Sequence, residues 1–114
     1  LVDDDNLLRW IFRETLSDAG FKVIEAGSGN EAIRLCRTGA FSAIITDVRM
    51  PDGDGIDLLR NVREAGHSIP VFMVTGYAET SEEELLASGA TALVRKPFDV
   101  DTFLGALKSS VGAT

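Results

Sequence analysis

Apolar positions along the chain switch repeatedly between helical and extended spacing. After Leu1-Val2, the residues Leu8, Ile11, Phe12, Thr15 and Leu16 fall on one helical stripe, which Gly20 is placed to end. "FKVIEA", Phe21 to Ala26, reads as a second strand. Ser28-x-x-Glu31 has capping-box spacing and opens a helix with Ala32, Leu35 and Cys36 facing inward, stopped near Gly39. "FSAIITD", Phe41 to Asp47, is a buried strand, and Ile56 to Ala65 a third helix. "PVFMVT", Pro70 to Thr75, is an unalternated apolar run, as in a central strand covered on both faces. Thr80-x-x-Glu83 and Ser81-x-x-Glu84 offer two registers for the next cap. "ALVR", Ala92 to Arg95, is a short fifth strand, and Asp99 caps a last helix through Phe103, Leu104 and Leu107. Five strand–helix units in succession predict an α/β fold, a parallel sheet flanked by helices.

Right-handed crossovers in such an open sheet bring the C-terminal ends of all strands to one rim, where ligands of doubly wound folds bind. On that rim the chain places Asp3, Asp4 and Asp5 after the first strand, Asp47 after the third, Thr75 at the end of the fourth and Lys96-Pro97 after the fifth. An aspartate ahead of Met-Pro-Asp-Gly can be a simple turn starter, which suits Asp52 and Asp54. For Asp47 alone the two readings balance, but polar groups at the other strand ends would each need a separate local excuse.

Carboxylates gathered in one partly buried pocket repel one another unless a cation joins them. Oxygen ligands without clustered His or Cys favour a hard cation, and the 12-residue calcium-loop spacing is absent from "DVRMPDGDG", so Mg²⁺ is the expected metal. With the metal and Lys96 neutralising charge, a carboxylate can attack phosphorus to form an acyl phosphate, and Asp47 is the candidate nucleophile. Thr75 can donate its hydroxyl to a phosphoryl oxygen, and the turn after Asp47 can present backbone N–H groups to another.

At 114 residues a single domain is expected. The balance of 11 Lys and Arg against 18 Asp and Glu gives a net charge of −7, which argues against direct binding to nucleic acid or an anionic membrane surface. The lone Cys36 excludes an internal disulfide framework and a cysteine-based zinc site, and fits a cytoplasmic setting. No apolar run approaches the ~20 residues of a membrane span. The opening "LVDDD", without Met, reads as a trimmed N-terminus, with residues 1–114 forming one domain of what can be a longer protein. Bland roles suit several conspicuous residues. Asp5, with Asn6, caps the first helix, Cys36 is a small buried hydrophobe, His67 is a solvated loop residue and Trp10 covers a helix edge. Glu82-Glu83-Glu84 is a negative first turn that suits the helix dipole.

"VDDDN" followed by Arg9, then "DVRMPDGDG", "VTGY" and "RKPF", in this order and across essentially the whole chain, resemble the receiver domain of two-component response regulators. The resemblance implies a flavodoxin-like doubly wound (βα)5 fold, with a five-stranded parallel sheet in order 2-1-3-4-5 and helices on both faces. It implies that Asp47 is phosphorylated and that Asp4 binds Mg²⁺ directly, Asp3 through water and Arg49 through its backbone carbonyl. Thr75 and Lys96 would contact the phosphoryl group, with Pro97 in the cis form. The implied donor is a sensor histidine kinase or a histidine phosphotransfer protein, and the implied reader a downstream effector domain or protein. Such a domain carries no turnover activity, binds no nucleic acid or membrane itself, and can form a homodimer through its fourth helix, fifth strand and fifth helix. Where the family often has an aromatic switch residue, three positions before Lys96, this chain has Leu93, so an aromatic rotamer switch cannot operate there. The residues two after Asp47 and two after Thr75, which in the family influence hydrolysis, are Arg49 and Tyr77, and their bulk predicts a long-lived phosphoaspartate. Two other classes compete. An aspartyl phosphatase of the haloacid dehalogenase type would put its nucleophile on strand one in an Asp-x-Asp-x-Thr pattern, which is missing. A receiver-shaped interaction module without phosphorylation would be expected to lose some pocket residues, and this chain has all five.

Overall fold

The computed structural model describes residues 1–39, 41–48, 50, 54–75, 81–95 and 99–111, with Val100 described by its backbone alone. Each helix begins at a side chain that satisfies backbone N–H groups left open by the first turn. Asp5 Oδ1 accepts from Leu7 N–H at 3.0 Å and Leu8 N–H at 3.2 Å to open α1 (Asn6–Asp18). Ser28 accepts from Glu31 N–H to open α2 (Gly29–Thr38), while Glu31 accepts from Gly27 N–H, so the capping box closes one residue early. Asp54 caps α3 (Gly55–Glu64) through Asp57 N–H. Of the two registers open to the next helix, Ser81 to Glu84 N–H is the one used, opening α4 (Glu82–Ala87). Asp99 accepts from Asp101 N–H and from the Thr102 hydroxyl at the start of α5 (Val100–Ser110). Gly20, at φ 96°, supplies the left-handed turn that ends the first helical segment.

The regular strands are β1 (Ile44–Asp47), β2 (Val71–Thr75) and β3 (Ala92–Arg95), paired in parallel in that order. Ile44 stands opposite Val71, and Met73 opposite Leu93. Val2 extends the sheet past β1 by parallel bridges to Thr46 on one side and Ala26 on the other. Counting those two segments, the spatial order is the expected 2-1-3-4-5. The predicted second strand is shorter than "FKVIEA" suggests, because among the described residues only Ala26 forms a bridge. Its neighbour in the sheet is the short stretch Leu1 to Asp3, joined by Ala26 N–H to the Leu1 carbonyl and Asp3 N–H to the Ala26 carbonyl. A strand is defined by its partner, and Phe21 to Val23 extend beyond the one on offer.

The unalternated run in β2 is buried at every position because each face of the sheet has its own core. Val71 and Met73 join Leu58, Leu59, Val62 and Leu85 under α3 and α4, with Ala32 of α2 on the same side. Phe72 and Val74 point to the other face, against Phe12 and Leu16 of α1 and Phe103 and Leu107 of α5. Phe103 sits edge-on to both Phe72 and Phe12, with ring centroids 5.7 and 5.9 Å away. The molecule is thus doubly wound, two helices on one face and three on the other. No described helix is long and apolar enough to cross a membrane.

One side chain fastens three segments that the sequence keeps apart. Arg63, near the end of α3, donates to the Gly89 carbonyl from Nε (3.0 Å) and Nη2 (2.7 Å), and from Nη1 to the carbonyls of His67 (2.9 Å) and Ile69 (2.8 Å). Gly89 adopts φ 107°, and a Cβ there would lie 3.0 Å from Arg63 Nε, so glycine serves both the turn and the guanidinium.

Candidate metal centre

Pairing of Val2 with Thr46 brings the end of the first strand beside the end of β1, with Asp47 N–H donating to the Val2 carbonyl at 2.9 Å. As a result, Asp3, Asp4 and Asp47 each place a carboxylate oxygen within 4.8 Å of the other two. Asp3 is buried, Asp47 is half-buried with its Oδ1 atom out of reach of solvent, and Asp4 faces the open rim. Two ionised carboxylates at that separation repel by about 3 kcal/mol in an effective dielectric of about 20. The three therefore call for a cation or shared protons. Their donor set is all oxygen, and a hard divalent ion matches it.

The acidic segment is held from several sides. Asp3 Oδ1 accepts from Asp5 N–H at 2.9 Å, and Arg9 Nη1 donates to the Asp3 carbonyl at 2.7 Å. Arg9 is itself fixed by Glu25 at 3.3 Å and Asn6 Oδ1 at 2.9 Å. On the β1 side the Thr46 hydroxyl donates to the Asp47 carbonyl at 2.9 Å. The following turn is tied down by Val48 N–H to the Val74 carbonyl (3.1 Å) and Gly55 N–H to the Val48 carbonyl (2.9 Å). Gly55 lies so close that a Cβ built on it would run into the Asp47 carbonyl oxygen and sit 3.1 Å from Met73 Cε.

Thr75 is fully buried at the end of β2, one residue past Val74, the partner of Asp47 in the sheet, and so shares the rim with the carboxylates. Leu93 lies in β3 opposite Met73 and packs, partly buried, into the core cluster that contains Leu85 of α4. Arg49, Tyr77, Lys96 and Pro97 lie outside the described residues. The sequence reading assigned no role to Gly55, whose only trace is a glycine at the start of a helix, and matched Arg9 to a motif without its work as a brace. Among the bland readings, the Asp5 cap is present and His67 is exposed. Cys36 is only half-buried, although desolvation still pushes its thiol pKa up. A cavity of about 430 Å³ between α2 and α3 is lined by Cys36, Asn61 and His67, and includes none of the clustered carboxylates.

A family model of the response regulator receiver domain matches residues 1–108. The chain belongs to that family. This receiver is 32% identical over 115 aligned residues to the response regulator MprA of Mycolicibacterium vanbaalenii, covering 100% of this chain and 50% of the relative. It is 31% identical over 102 residues to the DNA-binding transcriptional regulator NtrC of Klebsiella pneumoniae, covering 89% of this chain and 22% of that protein. The receiver thus spans about a fifth to a half of the length of these curated relatives. Among solved structures, it resembles the receiver domain of the Francisella response regulator 1452, with a TM-score of 0.92 at 28% identity over 97% of this chain and 93% of that one. The response regulator TrrA of Thermotoga maritima, solved in complex with Mg²⁺-BeF, gives a TM-score of 0.86 at 25% identity over 95% and 93% of the two chains. The receiver is therefore a component of two-component signalling, a phosphoacceptor module rather than a turnover enzyme, and its family implies a kinase partner.

Proposed function

We propose that this receiver accepts a phosphoryl group on Asp47 from a phosphohistidine, borne by a sensor histidine kinase or a histidine phosphotransfer protein, and passes the change to an effector domain or protein. The observation that carries the reading is the triad of carboxylates within 4.8 Å at the ends of neighbouring strands. A Mg²⁺ ion would be held by Asp3, Asp4, Asp47 and the Arg49 backbone carbonyl, and when bound supplies positive charge against the phosphoryl oxygens. A relative solved with Mg²⁺-BeF supports that choice of ion. An Asp47 carboxylate oxygen attacks phosphorus, the P–O bond forms as the P–N bond breaks, and the electron pair leaves with the imidazole nitrogen, which takes up a proton. The Thr75 hydroxyl and the Lys96 ammonium contact the transferred group, and Arg49 and Tyr77 limit the approach of water. Leu93 takes the place of the family's aromatic switch, so output runs through the packing of β3 on α4 rather than through a rotating ring. Residues 1–114 act as one receiver module in the cytoplasm.

The test is intact-mass spectrometry after incubation with acetyl phosphate, with and without Mg²⁺, on the parent chain and on Asp47→Asn. One added phosphoryl group that needs Mg²⁺ and is lost in Asp47→Asn is the expected result. A parent chain that gains no phosphoryl group would instead place it among receiver-shaped interaction modules.

A further inference from the structure

At the end of α2 and α3 away from the carboxylates, the two helices part around the cavity of about 430 Å³. Its residues on α3 begin at Asn61, about 9 Å along the helix from Gly55, so it stands apart from the metal centre. Ile33 and Cys36, one helical turn apart on α2, and Val62 of α3 give it an apolar floor, and all three pack in the same core cluster. Arg37, Asn61 and His67, all exposed, supply its polar side. Apolar walls with a few placed polar groups, in this range of volume, are the general character of a small-molecule site.

The lining carries a charge opposite to that of the chain. Acidic side chains are common on a protein of net charge −7, and α2 and α3 themselves bear Glu31, Asp57 and Glu64. Among the described residues that line the cavity none is acidic, whereas Arg37 is basic and makes no ion pair with any described residue. The His67 main chain is pinned by its N–H to the Val62 carbonyl (3.1 Å) and by Arg63 Nη1 to its own carbonyl (2.9 Å), which leaves the imidazole to turn. Asn61 gives one amide hydrogen to the Asp57 carbonyl at 3.2 Å and keeps the other. Bare helix C-termini would repel an anion, but here their carbonyls are occupied. Leu35 accepts from Gly39 N–H (3.1 Å) and the Thr38 hydroxyl (3.3 Å), and Asn61 from Ala65 N–H (3.0 Å). A hard cation would find no charged ligand among these residues. A protein partner is also the poorer occupant, since stable interfaces bury about 800 Å² on each side.

We propose that this cavity binds a small amphipathic carboxylate, its apolar body seated on Ile33, Cys36 and Val62 and its carboxylate paired with Arg37 and within reach of Asn61 and His67. A planar guanidinium can hold a carboxylate through two parallel hydrogen bonds, which gives the site its preference for the acid over an uncharged analogue. The site is independent of the reading of Asp47 as phosphoacceptor.

The experiment titrates the parent chain and the variants Arg37→Gln and Arg37→Lys with 3-phenylpropionate, its uncharged amide and inorganic phosphate, followed by amide NMR. A second readout comes from Cys36, the chain's only cysteine. Burial raises its thiol pKa, so it alkylates slowly with iodoacetamide, and intact mass follows how far a ligand on the cavity floor slows it further. Expected are saturable shifts at Ile33, Cys36, Val62 and His67, with a Kd of about 1 mM for so small a ligand, and alkylation at least 3-fold slower at saturation. Affinity falls at least 10-fold for the amide on the parent chain and for the acid on Arg37→Gln, with Arg37→Lys between. Phosphate does not displace the acid, Asp47→Asn binds it as the parent does, and circular dichroism confirms the fold of each variant. No saturable shift with 3-phenylpropionate, equal binding of acid and amide, or parent-like binding by Arg37→Gln would each overturn the proposal. So would displacement by phosphate, which would reduce the site to a surface charge, or shifts confined to the acidic rim. Shifts at the same residues on raising the protein concentration alone would give the cavity to a second copy and overturn it too.

Discussion

Replacing Arg63 by methionine removes the guanidinium but keeps an unbranched stem of similar reach, so the change isolates the hydrogen bonds that fasten α3 to the turn after α4 and to the approach to β2. Four bonds to three carbonyls are lost. The His67 carbonyl is exposed and water replaces the donor there at little cost, whereas the Gly89 and Ile69 carbonyls are partly buried. Hydrogen bonds to charged groups contribute about 1.5–3 kcal/mol each. The low end at the two partly buried carbonyls gives a destabilisation of about 3 kcal/mol. For 114 residues, an unfolding entropy of about 2.1 cal/mol/K per residue makes each kcal/mol worth about 4 °C. The melting temperature should therefore fall by about 12 °C, read by circular dichroism and checked by urea titration. Arg63→Lys keeps the charge as a single point without the planar fork, and should recover less than half of the loss. If Arg63→Met melts within about 4 °C of the parent chain, or Arg63→Lys matches the parent, the guanidinium bonds are no better than those water would make, and the reasoning fails.

Two further outcomes follow from the site. Gly55→Ala puts a methyl group against a backbone carbonyl that cannot swing away, so it should cost about 1–3 kcal/mol and, by displacing Asp47, slow labelling by acetyl phosphate at least 10-fold. A variant that labels at the parent rate would show that the loop yields freely. The phosphorylated receiver, purified away from Mg²⁺-dependent donors and any phosphatase, should keep its phosphoryl group for well beyond a minute. Mass spectrometry over a time course measures this, and a lifetime of seconds would remove Arg49 and Tyr77 as barriers to water.

Features governed by neighbours within about four positions were legible along the chain. Asp5, Ser28, Ser81 and Asp99 cap helices because a short acceptor side chain needs only the next turn's N–H groups. The uninterrupted apolar run in β2 announced burial on both faces. The cluster of Asp3, Asp4 and Asp47 was legible too, since carboxylates at strand ends are conspicuous by type and place. Features that depend on partners distant in the chain were settled only by the tertiary structure. Phe21 to Ala26 has the composition of a strand, yet forms a single bridge because a sheet exists only as far as its neighbour reaches. Ile11 fits the inward stripe by spacing, yet stands open with Leu7 and Trp10, because the buried part of α1 is narrower than its apolar pattern. Arg63 looks like any surface arginine until Gly89, His67 and Ile69 turn their carbonyls toward it. Asp3 and Asp47 meet because Val2 pairs with Thr46, a choice enforced by burying one set of side chains under α1 and α5 and the other under α2, α3 and α4. Sequence determined which groups were available at the strand ends, and packing on both faces of the sheet determined which of them stand within reach of one ion.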